Sequence, residues 1–271
     1  MITLQHSLVT LFATKDQNIE EFEKELPYVL LPDAIRRYSG PRQYSHFEEG
    51  QNGEGHSWME FPLDIKGMTE ESIQKGPRYL LPDIKPCALG ERTSVPVFEE
   101  HNGFLPNDYF AGVKKHLIQD IIFDKFIRKT IDCSQKLNHE FTFRGEQYDD
   151  KGVRKLITDM EEHGMYVLAY MLNQSCGITA NQEWFDEHVK KVLDREYPQE
   201  IADSTYKYMK IPEKMNDWIT NGDWSHLNEG PIPMEEYFAL YRECALAMPV
   251  VDKEKQTRVP KTKRVPDDEI R

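Results

Sequence analysis

The stretch GVKKHLIQDIIFDKF, residues 112 to 126, places His116, Asp120 and Asp124 at steps of four. Residues four apart in an α-helix stand one above the other, so these three ionisable groups share one strip about 80° wide. Around them Phe110, Val113, Leu117, Ile118, Ile121, Ile122, Phe123, Phe126 and Ile127 spread over most of the circumference, the pattern of an enclosed helix. A buried carboxylate without compensation is costly, and two beside one imidazole repel each other. Two arrangements resolve the conflict. A divalent cation can gather the three groups, or Arg and Lys from neighbouring helices can pair with the carboxylates while His116 makes an ordinary core hydrogen bond.

Other segments carry residues of the same types. His6 in LQHSLV, Asp33 in LLPDAIRRY and His46 in RQYSHFEEG each have a plain structural alternative: a satisfied histidine on an amphipathic helix, a cap or turn aspartate after Pro32, and a histidine in a polar loop. Taken with His116 and Asp120, they form the inventory that a hard or borderline divalent ion draws from separate segments. Asp159 and His163 in TDMEEHGMYV repeat the four-residue spacing, either as two ligands on one helix face or as part of an exposed acidic face. Arg36, one turn after Asp33, either forks onto a phosphate or is a solvated or ion-paired arginine. Trp218, Trp224 and His226 in NDWITNGDWSHLNEGP either wall a base or lipid site or pin a loop to the core. Cys87, Cys133, Cys176 and Cys244 lie far apart with no CxxC pair, which reads as buried thiols rather than a disulfide framework or a thiolate zinc site.

These side chains need elements to hold them. Helices are expected at about 3 to 14, 18 to 25, through LPYVLLPDAIRRYSG to Gly40 with a break at Pro32, and then at about 108 to 132, 151 to 174, 181 to 195, 199 to 209 and 233 to 247. Residues 41 to 106 are rich in Pro and Gly and sustain neither helical nor strand period, so they read as a long irregular insertion. Residues 251 to 271 are charged with little to bury, which predicts a flexible tail. The expected fold is all-α: one helical domain over residues 1 to 250, with about seven or eight helices around a His/Asp metal site.

Composition and missing motifs remove other classes. With 34 basic and 47 acidic residues the net charge is −13, so charge does not draw this chain to nucleic acid or to an anionic membrane. There is no GxGxxG, GxxxxGK[ST], GxSxG or HExxH, and no adjacent His-Asp dyad of the helical phosphohydrolase type. The segment MITLQHSLVTLFATKDQ does not read as a signal peptide, no stretch approaches the ~20 apolar residues of a membrane span, and a cytoplasmic chain is expected.

The order Asp33, His46 and then His116-xxx-Asp120 resembles the zinc-dependent phospholipases C and the related single-strand nucleases of fungi and plants. The likeness covers residues 1 to about 130, and DYFAGVKKHLIQDIIFD is similar to the Gly-xxx-His-Leu-xx-Asp helix of uncharacterised bacterial relatives. The resemblance implies that Asp33, His46, His116 and Asp120 hold one zinc while Asp120, as a bridging ligand, and His6 hold a second. Mn, Fe or Ni are the other ions such donors accept. Departures are plain: the secreted relatives use an N-terminal Trp where this chain has Met1, and Phe126 stands where they have a further His. No later His-xxx-Glu pair follows, which leaves Asp124, or Asp159 with His163, as substitutes.

The implied activity is hydrolysis of a phosphate ester, monoester or diester, with Asp33 also orienting the attacking water and Arg36 binding substrate. A small phosphate ester or nucleotide is the expected substrate, without stable nucleic-acid binding. The alternative is a non-catalytic helical interaction protein, of the kind a phage or mobile element encodes, with at most a structural metal.

Overall fold

The computed structural model describes residues 1–14, 18–39, 45–46, 56–59, 61–74, 78–81, 95, 98–99, 102, 105–135, 138–247 and 263–264. They are mostly helical, in line with the expected fold class. In chain order the elements are α1 (Thr3–Ala13), α2 (Ile19–Ser39), β1 (His56–Met59), α3 (Glu70–Gln74), β2 (Arg78–Leu81), α4 (Asn107–Thr130), β3 (Phe141–Phe143) and β4 (Glu146–Tyr148). There follow α5 (Asp150–Cys176), α6 (Gln182–Phe185), a π-helical turn (Asp186–Lys190) leading into α7 (Lys191–Glu196), α8 (Gln199–Tyr206), α9 (Glu213–Asn221), α10 (Met234–Leu246) and β5 (Lys263–Arg264).

Several expectations are corrected. Proline 32 does not break the chain: α2 runs unbroken through Pro27 and Pro32. A proline removes one N–H and crowds the preceding turn, but Phe22, Leu26, Val29, Leu30, Leu31, Ala34 and Ile35 are all buried, and that burial holds the helix together. The insertion at 41 to 106 is not wholly irregular, since β1, α3 and β2 lie within it, each too short to leave a periodic signal. Of the expected tail, residues 251 to 271, only Lys263–Arg264 are described, and they pair antiparallel with Tyr79 and Leu80 of β2. The rest of the tail lies outside the described residues. Cys244 is buried as expected, whereas Cys176 is exposed in the last turn of α5; Cys87 lies outside the described residues.

The chain divides into two compact units, each assembled from separated segments. One comprises Met1–Phe22, Ile118–Val189 and Met209–Met248, the other Glu23–Leu117, Lys190–Tyr208 and Pro249–Arg271, so α2 and α4 each contribute to both.

In the first unit α1 is enclosed all round, with every residue from Leu4 to Leu11 buried. Its polar side chains therefore need partners, because an unsatisfied buried polar group costs about 1–3 kcal/mol. Gln5 Nε2 donates to the Glu161 carbonyl at 2.9 Å and to the Tyr241 hydroxyl at 2.7 Å. Thr10 Oγ1 donates to the His6 carbonyl at 2.7 Å. Helix α5 is well bounded: Asp149 caps its start by accepting from Gly152 N, and Gly177 ends it in the left-handed region at φ 72°.

In the second unit Gly112 lets α4 approach α2 closely. A Cβ at that position would stand 3.1 Å from the Tyr28 carbonyl carbon and 3.1 Å from the Val29 nitrogen. Tyr28 stacks on Tyr109 at 5.0 Å, and Lys115 Nζ meets Glu25 at 2.5 Å, so contacts on either side of Gly112 fix how α2 lies along α4.

Candidate metal centre

In the second unit, α2 supplies Asp33, α4 supplies His116, and a described pair after α2, Ser45 and His46, supplies the third group. Asp33 Oδ1 lies 3.3 Å from His46 Nε2, and His116 Nε2 lies 3.2 Å from the same atom. Ligand atoms of Asp33, His46 and His116 all fall within 4.8 Å of one another. Both imidazoles are fully buried and the Asp33 side chain is 11% exposed. A tetrahedral ion with bonds of ~2.0–2.1 Å holds its ligand atoms about 3.3 Å apart, so the two spacings to His46 Nε2 are compatible with donors that share one ion.

Hydrogen bonding on the far side of His46 supports this. Ser45 Oγ lies 2.8 Å from His46 Nδ1. When the hydroxyl accepts from Nδ1–H, the Nε2 lone pair points at Asp33 and His116, which is the tautomer a metal-bound imidazole takes. Two nitrogens and a carboxylate oxygen, converging where both imidazoles are buried, are donor types that suit a divalent cation.

The first unit gathers a second set. Asp120, 2% exposed, places Oδ1 at 3.4 Å from His6 Nε2 and 3.2 Å from the Met1 nitrogen. Gln119 fixes the His6 ring: its Nε2 donates to Thr10 Oγ1 at 3.3 Å, which leaves Oε1 to accept from His6 Nδ1–H at 2.5 Å. The Nε2 of His6 therefore faces the Asp120 carboxylate with its lone pair, a pairing that a proton or a cation between them relieves.

Glu161 belongs to this set and was not foreseen. Its Oε1 is 3.6 Å from the Met1 nitrogen, and burial pushes its carboxyl above the usual range, with the Met1 amine opposing the rise and the Asp120 charge adding to it. The chemistry on α5 was expected instead from Asp159 and His163. Two residues turn a helix by about 200°, so Glu161 points away from the face those two share.

The structure does not bring Asp124, Asp159 or His163 into either set. Asp124 sits one turn beyond Asp120 but its carboxylate is held by Arg128 Nη2 at 2.8 Å, the ion-pair alternative of the sequence reading. Asp159 is half-buried and paired with Lys155 at 2.6 Å. His163 Nε2 donates to the Leu227 carbonyl at 2.9 Å, the ordinary hydrogen bond of a half-buried histidine. Arg36 is exposed on α2, one turn past Asp33. Trp218 stacks on His226 with ring centroids 3.9 Å apart and lies 5.6 Å from Tyr166, so this loop is pinned to α5 rather than walling a site.

Among the described residues no helix is long and apolar enough to cross a membrane. The chain matches no protein-family model, no curated protein and no solved structure. Fold and geometry define it as a mostly helical protein with a buried His/Asp group of metal-binding spacing.

Proposed function

We propose that the chain is a metal-dependent hydrolase of phosphate esters, with Asp33, His46 and His116 holding a divalent ion, zinc above all. The observation that carries the reading is the approach of Asp33 Oδ1 and His116 Nε2 to His46 Nε2, at 3.3 Å and 3.2 Å. A second ion is assigned to His6 and Asp120. The substrate class rests on the resemblance of the Asp33, His46, His116-xxx-Asp120 order to the zinc phospholipases C and single-strand nucleases. The charge of −13 favours a small phosphate ester over a long polyanion or an anionic bilayer.

A divalent ion supplies Lewis acidity, lowering the pKa of water towards neutrality and polarising a phosphoryl oxygen. The chain's own groups do the rest. Ser45 sets the His46 tautomer and ring orientation. Asp33 has one oxygen towards His46 and is partly exposed, which supports the role proposed for it of orienting water and accepting its proton. Arg36, on the same face of α2, offers a fork for phosphate oxygens.

The full burial of His46 and His116 favours one competing reading, a purely structural ion in an interaction protein. Elemental analysis of protein purified without a His tag, followed by assay of bis-p-nitrophenyl phosphate and p-nitrophenyl phosphate, separates the two. Near-stoichiometric zinc that disappears in His116→Ala, with turnover lost in parallel, is the expected result. Zinc without turnover of either ester leaves the structural reading; absence of Zn, Mn, Fe and Ni removes both.

A further inference from the structure

Within the first unit, α4 and α10 border a cleft of about 500 Å³ that none of the metal-binding candidates lines. Its α4 wall is Ile122, Lys125, Phe126 and Lys129, at the i, i+3, i+4, i+7 spacing of one helical face. Its α10 wall repeats that spacing with Glu236, Ala239, Leu240 and Glu243, and the β3–β4 turn adds Phe143 and Arg144. Ile122, Phe143 and Leu240 are buried, so the floor is apolar and the rim charged. The volume lies in the range of small-molecule sites, which are apolar concavities with a few convergent polar groups.

The distribution of charge points to the ligand. Acidic residues outnumber basic ones by 47 to 34, and among the described residues some cations are paired, as Lys115 with Glu25, Arg128 with Asp124, Lys155 with Asp159 and Lys190 with Asp194, while others are not. Lys125, Lys129 and Arg144 form no ion pair among the described residues, although Glu236 and Glu243 line the same cleft. Two like charges one turn apart on α4 are mutually unfavourable without a counter-charge.

Arg144 adds an independent observation. It occupies the first position of the two-residue β3–β4 turn at φ 52°, followed by Gly145 at φ 85°. Such turns favour Asn, Asp or Gly there, and an arginine is strained. The conformation holds the guanidinium carbon 5.2 Å from the centroid of Phe143, a residue of the cleft lining.

We propose that this cleft binds a small organic monoanion with an apolar body, its head group on Lys125, Lys129 and Arg144 and its hydrocarbon on Ile122, Phe126 and Leu240. The glutamates of the α10 wall limit the negative charge the cleft accepts, which selects a monoanion over a polyanion.

Titration calorimetry of the full chain with decanoate, and with decyltrimethylammonium as a chain-matched cation, tests this. Decanoate should bind saturably at one per chain and at least ~10-fold more tightly than the cation. Lys125→Gln with Lys129→Gln should weaken decanoate about tenfold. Arg144→Asn should weaken it by a similar factor without lowering Tm, because asparagine suits the left-handed turn position, so loss of binding there cannot come from misfolding. Ala239→Trp, which fills the cleft, should abolish binding. Lack of saturable binding, equal affinity for the cation, or unchanged affinity in Arg144→Asn and the double lysine variant would each overturn the proposal.

Discussion

Asp120 and Asp124 are one turn apart on the same helix and differ in what their carboxylates meet. Asp120 is 2% exposed and faces His6, while Asp124 is 27% exposed and bound to Arg128. Replacing Asp124 by Asn removes an i,i+4 ion pair of roughly 0.2–0.5 kcal/mol. Replacing Asp120 by Asn removes the charge proposed to hold an ion with His6. Asp120→Asn should therefore lose metal and activity, while Asp124→Asn keeps both within about twofold of the parent chain. Elemental analysis and phosphoesterase assay of the two proteins decide it, and the reverse pattern would mean that the metal assignment is one helical turn out of place.

His163 gives a residue-scale pH prediction. Burial lowers its pKa below the usual imidazole range, against the opposing pull of its bond to the Leu227 carbonyl and of Glu229. The unfolded chain then binds a proton more readily than the folded one. Stability should be whole above the ordinary imidazole pKa of about 6.5 and fall as pH drops below it towards the folded value. His163→Gln should flatten that part of a Tm-against-pH curve; an unchanged slope would place its origin elsewhere. At this scale His116 and Asp120 were legible as candidates from residue type and helical spacing, and Asp33 and His46 from residue type together with the order that resembles the zinc phospholipases C. Glu161 was not, because choosing a helix face on α5 needs to know what packs against it, and the visible His/Asp spacing lies on the other side.

At the scale of elements, long helices such as α4 and α5 were legible because their period persists over many turns. The β3–β4 hairpin was missed: only Phe141 and Phe143 alternate inwards, too short a signal between two long helices. Helix α2 passes the break expected at Pro32 because the burial along it outweighs the local effect of a proline, and burial is not visible in the local sequence. The glycine of the GVKKHLIQD motif also acquires a physical reason. Gly112 is where α4 meets the α2 backbone, and α2 carries Asp33. Gly112→Ala would press a methyl group on Tyr28 and Val29, where backbone rather than a flexible side-chain end must yield. Despite alanine's better helix propensity, the variant should lose about 1–3 kcal/mol in denaturant unfolding. It should also bind less zinc, since Asp33 and His116 would be moved apart. A variant as stable as the parent, with full zinc, would show that α2 shifts freely and that the close approach does not position the site.

At the scale of the whole molecule, the division into two units had no signature in the sequence. Each unit is built from separated segments, and two of the boundaries fall inside α2 and α4, where no change of composition marks them. That organisation gives the metal proposal a thermodynamic consequence, because Asp33, His46 and His116 come from α2, from a residue after it and from α4, and converge only in the folded chain. An ion that binds the folded but not the unfolded state adds stability of RT ln(1 + [L]/Kd), about 2.7 kcal/mol when free metal is 100 times Kd. For a chain of this size each kcal/mol moves Tm by roughly 2–4 °C. Chelation by EDTA should therefore lower Tm by about 5–10 °C, and added zinc should restore it. His116→Ala separates metal from scaffold. It lacks one of the three donors, so its Tm should begin near that of the chelated parent and barely respond to EDTA. If the parent melts at the same temperature with and without chelator, or if His116→Ala responds to EDTA as strongly as the parent, the cluster does not hold an ion in the folded chain and the hydrolase reading loses its foundation.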